Sequence, residues 1–175
     1  LKTTLQPSPV RLSYEEGDRL QFKGEEIELV LRQGRGAGRA ALEDGRLVLK
    51  IRPGSDRAYR EKIVTQWYRE QLKTSVGKLV CQWEPELGVR VNEYRVRKMK
   101  TRWGSCNVRA GRIWLNLSLI RLRPALLEYV AVHEMVHLLE KSHNHRFKTF
   151  MDQWIPEWRD LKQELDCARP DPFIL

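Results

Sequence analysis

The segment His133-Glu134-Met135-Val136-His137 carries the chemistry most worth weighing in this 175-residue chain. On a helix a step of four residues is just over one turn, so His133 and His137 project from one face. Two imidazoles so placed can grip one zinc ion. Glu134 stands beside the first of them, where its carboxylate can reach a zinc-bound water. Zinc lowers the pKa of that water to about 7, and the glutamate can take its proton as it attacks a carbonyl. The neighbours Leu126, Leu127, Val130, Ala131, Val132, Val136, Leu138 and Leu139 leave almost no polar face, so this helix is expected to be buried. Burying two histidines and a carboxylate without a purpose is costly.

Catalytic zinc generally takes three protein ligands and leaves a fourth position open. All four histidines of the chain fall between positions 133 and 145. An uninterrupted helix would turn His143 about 120° from His137 and out of reach. To use it, the helix must end near Glu140 and Lys141-Ser142-His143-Asn144 must turn back. Ser142 and Asn144 are turn formers, which supports this. His145 competes as third ligand, as do Glu157 and Glu164 further on, and Cys106 would serve if the site were built like a deformylase's.

The elements that must position these residues read as follows. Residues 1–18 form a lead-in and 169–175 a tail around one domain, 19–168. Short apolar runs at 20–22, 27–31 and 47–51 are separated by Lys23-Gly24 and Asp44-Gly45, and predict antiparallel strands. The run Gly34-Arg35-Gly36-Ala37-Gly38 lacks the Lys-Ser/Thr ending of a phosphate loop and reads as a flexible turn. Apolar residues at three- and four-residue steps predict a helix over 55–79, capped by Ser55 or Asp56. Residues 82–88, with Pro85, read as a connector. Segments 91–103 and 113–119 alternate as strands around a turn at 107–111. Pro124 suits the first turn of the His133 helix, which is expected to run to about Glu140. A last helix spans about 146–167, with a kink at Pro156.

Hydrophobic residues make up 41% and charged residues 31% of the chain, ordinary for a globular protein. No stretch approaches the 18 apolar residues of a membrane helix, so no membrane partner is expected. Residues 1–10 lack the pattern of a secretory signal, and the three cysteines form no Cys-x-x-Cys pair. A reducing, cytoplasmic setting is expected. Net charge is +9, and no acidic residue falls between Tyr94 and Leu127, where nine arginines and lysines do. That stretch reads either as a solvated surface or as a patch for nucleic acid or acidic polypeptide. If the stretch holds nucleic acid, zinc could serve structure in a nucleic-acid-associated protein.

Several further segments resemble one family: Trp103-Gly104-Ser105-Cys106, Ile113-Trp114-Leu115-Asn116, Tyr129-Val130, His133 to Leu138, and His143-x-x-x-Phe147. Together they are similar to the YgjP-like small metallopeptidases, relatives of the SprT-like proteases, over about residues 93–154. The resemblance implies a small α+β fold of zincin type. There an antiparallel-rich sheet flanks the active-site helix, a further C-terminal helix follows, and an edge strand can pair with an extended peptide. It implies one zinc ion per chain, with His143 rather than His145 as third ligand beside His133 and His137, and a polypeptide substrate. Trp103, Gly104 and Asn116 are candidates for lining the cleft, and Arg102 or Asn116 for stabilising the oxyanion. Kinship with SprT-like proteases adds the idea of a protease recruited to nucleic-acid-bound proteins. The chain departs from the family pattern at Met135, where leucine is common, and at Ser142, where Asn or Asp is preferred.

Overall fold

The computed structural model describes residues 12–168. The first eleven residues of the expected lead-in and the whole expected tail, 169–175, lie outside the described residues. Strands β1 (Arg19–Phe22) and β2 (Glu25–Gln33) form an antiparallel hairpin, as do β3 (Arg39–Glu43) and β4 (Arg46–Ile51). The turn pairs Lys23-Gly24 and Asp44-Gly45 have φ of 53° and 85°, and of 48° and 75°. Positive φ at both places is the twist a two-residue hairpin needs, and glycine supplies it without a Cβ penalty.

The sheet order is β1-β2-β4-β3, so β2 and β4 are parallel neighbours, with Leu29 beside Leu47 and Gln33 beside Ile51. This corrects the expectation that these strands are all antiparallel. Leu29, Leu47 and Leu49 are fully buried, and strands so apolar need a partner on each side. The more exposed β3 takes the edge.

Helix α1 (Arg57–Leu87) starts at Asp56, whose side chain accepts a hydrogen bond from Tyr59 N at 2.8 Å. Val64, Trp67, Tyr68, Leu72, Val76 and Val80 form its buried face, with Phe22 packed on the Trp67 and Tyr68 rings. The connector expected at 82–88 is helix instead. Pro85 removes one bond, to the carbonyl of Cys81, an exposed residue where water can substitute. Leu87 is buried, and Gly88 closes the helix at φ 65° with its N–H on the Glu84 carbonyl.

A second sheet, ordered β5-β7-β6, comprises β5 (Glu93–Arg97), β6 (Gly104–Asn107) and β7 (Arg112–Asn116). The central β7 is parallel to β5 and antiparallel to β6. The strand expected over 91–103 therefore shrinks to β5 plus a loop at 98–103. The one expected over 113–119 ends at Asn116, which caps a 3-10 helix, Leu117–Arg121.

Helix α2 (Pro124–Val136) packs on β6, β7 and α1. The expected last helix is two, α3 (His145–Trp154) and α4 (Trp158–Ala168), because Pro156 breaks it where a kink was foreseen. Lys23 N and Gly24 N donate to the Ile120 and Arg121 carbonyls, which ties the first hairpin to the chain entering α2. The result is an α+β fold in which both sheets, α1 and α2 share one core.

Candidate metal centre

The buried residues of α2 run from Leu126 to Val136, as an all-round apolar sequence demands. His133 and Glu134 sit in its last turn and His137 caps its end. The amides of Leu138, Leu139 and Glu140 bond back to the Met135 and Val136 carbonyls, and the chain then reverses. That reversal brings His143 Nε2 to 3.0 Å from His133 Nε2. One ring nitrogen from each of His133, His137 and His143 lies within 4.8 Å of the other two. Tetrahedral zinc, with bonds of about 2.0–2.1 Å, spaces nitrogen donors about 3.4 Å apart, so the three imidazoles fit such an ion with little movement.

The tautomers suit the same purpose. His137 Nδ1 lies 3.1 Å from the Glu140 carbonyl. A carbonyl only accepts, so Nδ1 carries the hydrogen and Nε2 keeps its lone pair for a metal. Burial, and then the neighbouring imidazoles, push His133 down to about 3, which keeps it neutral. Its Nδ1 is buried without a hydrogen-bond partner, so packing must orient this ring.

Phe147 supplies much of that packing. Its ring centre lies 4.9 Å from that of His133 and 4.8 Å from those of His137 and His143. Asn144 seats it, capping α3 by accepting from Phe147 N at 3.1 Å. Residue type marks Asn144 as a turn former in the sequence, and its capping of the next helix rests on the same side-chain acceptor.

Glu134 is 6% exposed. Burial lifts its carboxyl to about 8, with Arg102 pulling the other way. The Gly104 backbone of β6 lies directly against it. Cys106 is two residues further along the same face of β6, and burial and the Glu134 charge push its thiol up to about 11. A thiol held protonated is a poor zinc ligand, and Cys106 is not among the clustered donors. His145, at the start of α3, and Glu157 are also outside the cluster, while Glu164 is engaged by Arg123 at 2.5–3.1 Å.

The other residues singled out from sequence are distributed unevenly. Trp103 is partly buried and packs on the core. Trp114 pairs with Ser105, on the opposite face of the sheet from Gly104 and Leu115, so it does not line the site. The Arg97 and Arg95 guanidinium groups lie 4.3 and 5.2 Å from its ring centre. Asn116 is fully buried, and Nδ2 donates to the Met99 and Arg102 carbonyls, both at 2.8 Å. Its Oδ1 accepts from Ser118 N at 3.2 Å. No amide hydrogen is left for a substrate or an oxyanion, and Asn116 instead clamps the 98–103 loop. The basic 94–127 stretch is partly neutralised, with Arg95 and Arg112 on Glu93 and Arg123 on Glu164.

An α+β fold that gathers three imidazole nitrogens beside a buried glutamate on one helix has the constitution of a metal-dependent peptidase. A family model described as "YgjP-like, metallopeptidase domain" matches residues 1–168, and the chain belongs to that family. It is a zinc peptidase, and its substrate is polypeptide. No curated protein matches the chain. Among solved structures it is similar to the metallopeptidase zymogen of Pyrococcus abyssi abylysin, with 21% identity and a TM-score of 0.47 over 51% of this chain and 90% of that one. It is also similar to the metallopeptidase zymogen of Methanocaldococcus jannaschii jannalysin, with 20% identity and a TM-score of 0.46 over 53% of this chain and 95% of that one. No helix among the described residues is long and apolar enough to cross a membrane.

Proposed function

We propose that the chain hydrolyses peptide bonds with one zinc ion held by His133, His137 and His143 and with Glu134 as general base. The observation that carries this reading is the convergence of three ring nitrogens within 4.8 Å, beside a glutamate that is 6% exposed. Zinc there acts as a Lewis acid toward water and the scissile carbonyl. Glu140 fixes the His137 ring through its carbonyl, and Phe147 holds all three rings by packing. The largely buried Glu134 carboxylate takes the proton of the attacking water and passes it to the leaving nitrogen.

Substrate binds in extended form along β6, an edge strand whose one partner in the sheet is β7 and which packs on α2. Gly104 begins that strand and Trp103 directly precedes it. The three cysteines are free, in keeping with the reducing, cytoplasmic setting we infer. The test is Glu134→Gln assayed on an unfolded protein substrate. Zinc content should hold while hydrolysis is lost, and wild-type hydrolysis by that variant would remove Glu134 from the mechanism.

A second reading adds nucleic acid as a partner that recruits the protease to bound proteins. What favours it is the outer face of the second sheet, where Arg95 and Arg97 lie over Trp114. Binding to single-stranded DNA that falls steeply with added salt would support it, since phosphate contacts release counterions. Salt-independent binding, or none, would remove it.

A further inference from the structure

The Glu134 side chain lies between its own helix and the backbone of β6, and the residue facing it there is Gly104. A Cβ built on Gly104 would stand 2.6 Å from Glu134 Oε1, 2.8 Å from Cγ and 2.9 Å from Cδ. Real Cβ contacts are essentially never this short, so something must move. Gly104 does not have the positive φ that would demand glycine for backbone reasons, because the glycines with φ above zero are at 17, 24, 36, 45, 54, 88 and 111. Its side-chain-free state is therefore explained by the neighbour and not by the turn.

The strand is poorly placed to yield. Gly104 is in register with Leu115, which is fully buried, and the loop before it is pinned by Asn116 at Met99 and Arg102 and by Asn116 N on the Trp103 carbonyl at 2.8 Å. Helix α2 cannot retreat either, since the residues around Glu134 on it are buried in the core. The Glu134 side chain is the softest of the parts that meet.

We infer that Gly104 is a positioning residue: by lacking a side chain it opens the slot that fixes the Glu134 carboxylate beside the three histidines. This rests on the reading of Glu134 as general base, and it gives Gly104 a task different from lining the cleft. A misplacement of about 1 Å in a reacting group can cost on the order of 100-fold in rate. Gly104→Ala should thus lose about that much in kcat, with KM little changed. Zinc content should stay at the wild-type level, because the three atoms nearest the added methyl all belong to Glu134.

The experiment pairs Gly104→Ala with Glu134→Ala in a thermal-unfolding cycle on zinc-loaded protein, alongside kinetics and a crystal structure of Gly104→Ala. The expected result is a lowered unfolding midpoint for Gly104→Ala that disappears when Glu134 is also alanine, and a Glu134 carboxylate rotated away with the histidines in place. A Gly104→Ala penalty of equal size in the Glu134→Ala background would overturn the inference, including the case in which both proteins carrying Gly104→Ala fail to fold. So would a carboxylate left where it is while β6 shifts. If Glu134→Gln proved fully active, the general-base reading would fail while the unfolding cycle still reported on the slot.

Discussion

Replacing Asn116 by alanine removes a clamp whose strength can be worked from its bonds. The wild-type side chain makes three hydrogen bonds, two donated to the loop carbonyls of Met99 and Arg102 and one accepted from Ser118 N. Each is worth about 1 kcal/mol net, and leaving a partner buried and unpaired costs more than that. The loop itself is mostly exposed, so its carbonyls can recruit water, which offsets part of the loss. The small cavity left at a fully buried site adds back a similar amount.

The sum is a destabilisation of about 2–4 kcal/mol, or a midpoint lowered by about 5–15 °C for a chain of this size. Thermal unfolding followed by far-ultraviolet circular dichroism, on zinc-loaded protein, measures it directly. Asn116→Asp is the sharper companion. It keeps the acceptor for Ser118 N but turns a carboxylate toward two carbonyls, so it should fall at least as far. Midpoints within about 2 °C of wild type for both variants would refute the clamp.

A second expectation concerns pH. The fold raises the Glu134 carboxyl from 4.5 to about 8, so metal-free native protein keeps a proton that the unfolded chain has lost above 4.5. The resulting stability is complete below pH 4.5 and is lost as pH rises toward 8. In urea titrations after chelation, wild type should lose more stability than Glu134→Gln between pH 5 and pH 8. The depressed His133 acts in the opposite sense but is common to both proteins and cancels. Parallel curves would show that Glu134 is not desolvated as described. A third expectation concerns thiols. Cys81 and Cys167 are exposed, whereas the Cys106 thiol is half-buried and held up to about 11. A disulfide reagent at pH 7.5 should label two cysteines quickly and the third only on unfolding, and Cys106→Ser should keep its zinc. Loss of zinc in Cys106→Ser would return that residue to the ligand set.

The parts of the fold legible in the sequence are those governed by local rules. The four-residue step of His133 and His137, the Asp44-Gly45 turn and the Asp56 cap each need only neighbours a few residues away. The parts that were not legible depend on distant competition. Nothing local says that β2 and β4 lie side by side, because their pairing follows from which strands are too apolar for an edge. Pro85 looked like a stop, yet the burial of Leu87 carries α1 past it. Asn116 is a cleft candidate only through the family resemblance, whereas its hydrogen-bond partners, Met99 and Arg102, sit 17 and 14 residues upstream. The size of the space beside Glu134 is likewise set by β6, some thirty residues before it in the chain.

The most direct test of the account is the zinc content, by plasma emission, of purified wild-type protein and of His143→Ala, each reloaded with zinc and desalted. One zinc per wild-type chain is expected, and none retained by a folded His143→Ala protein. Stoichiometric zinc in His143→Ala would contradict the three-histidine centre, and absence of zinc from the wild type would contradict the metal site altogether.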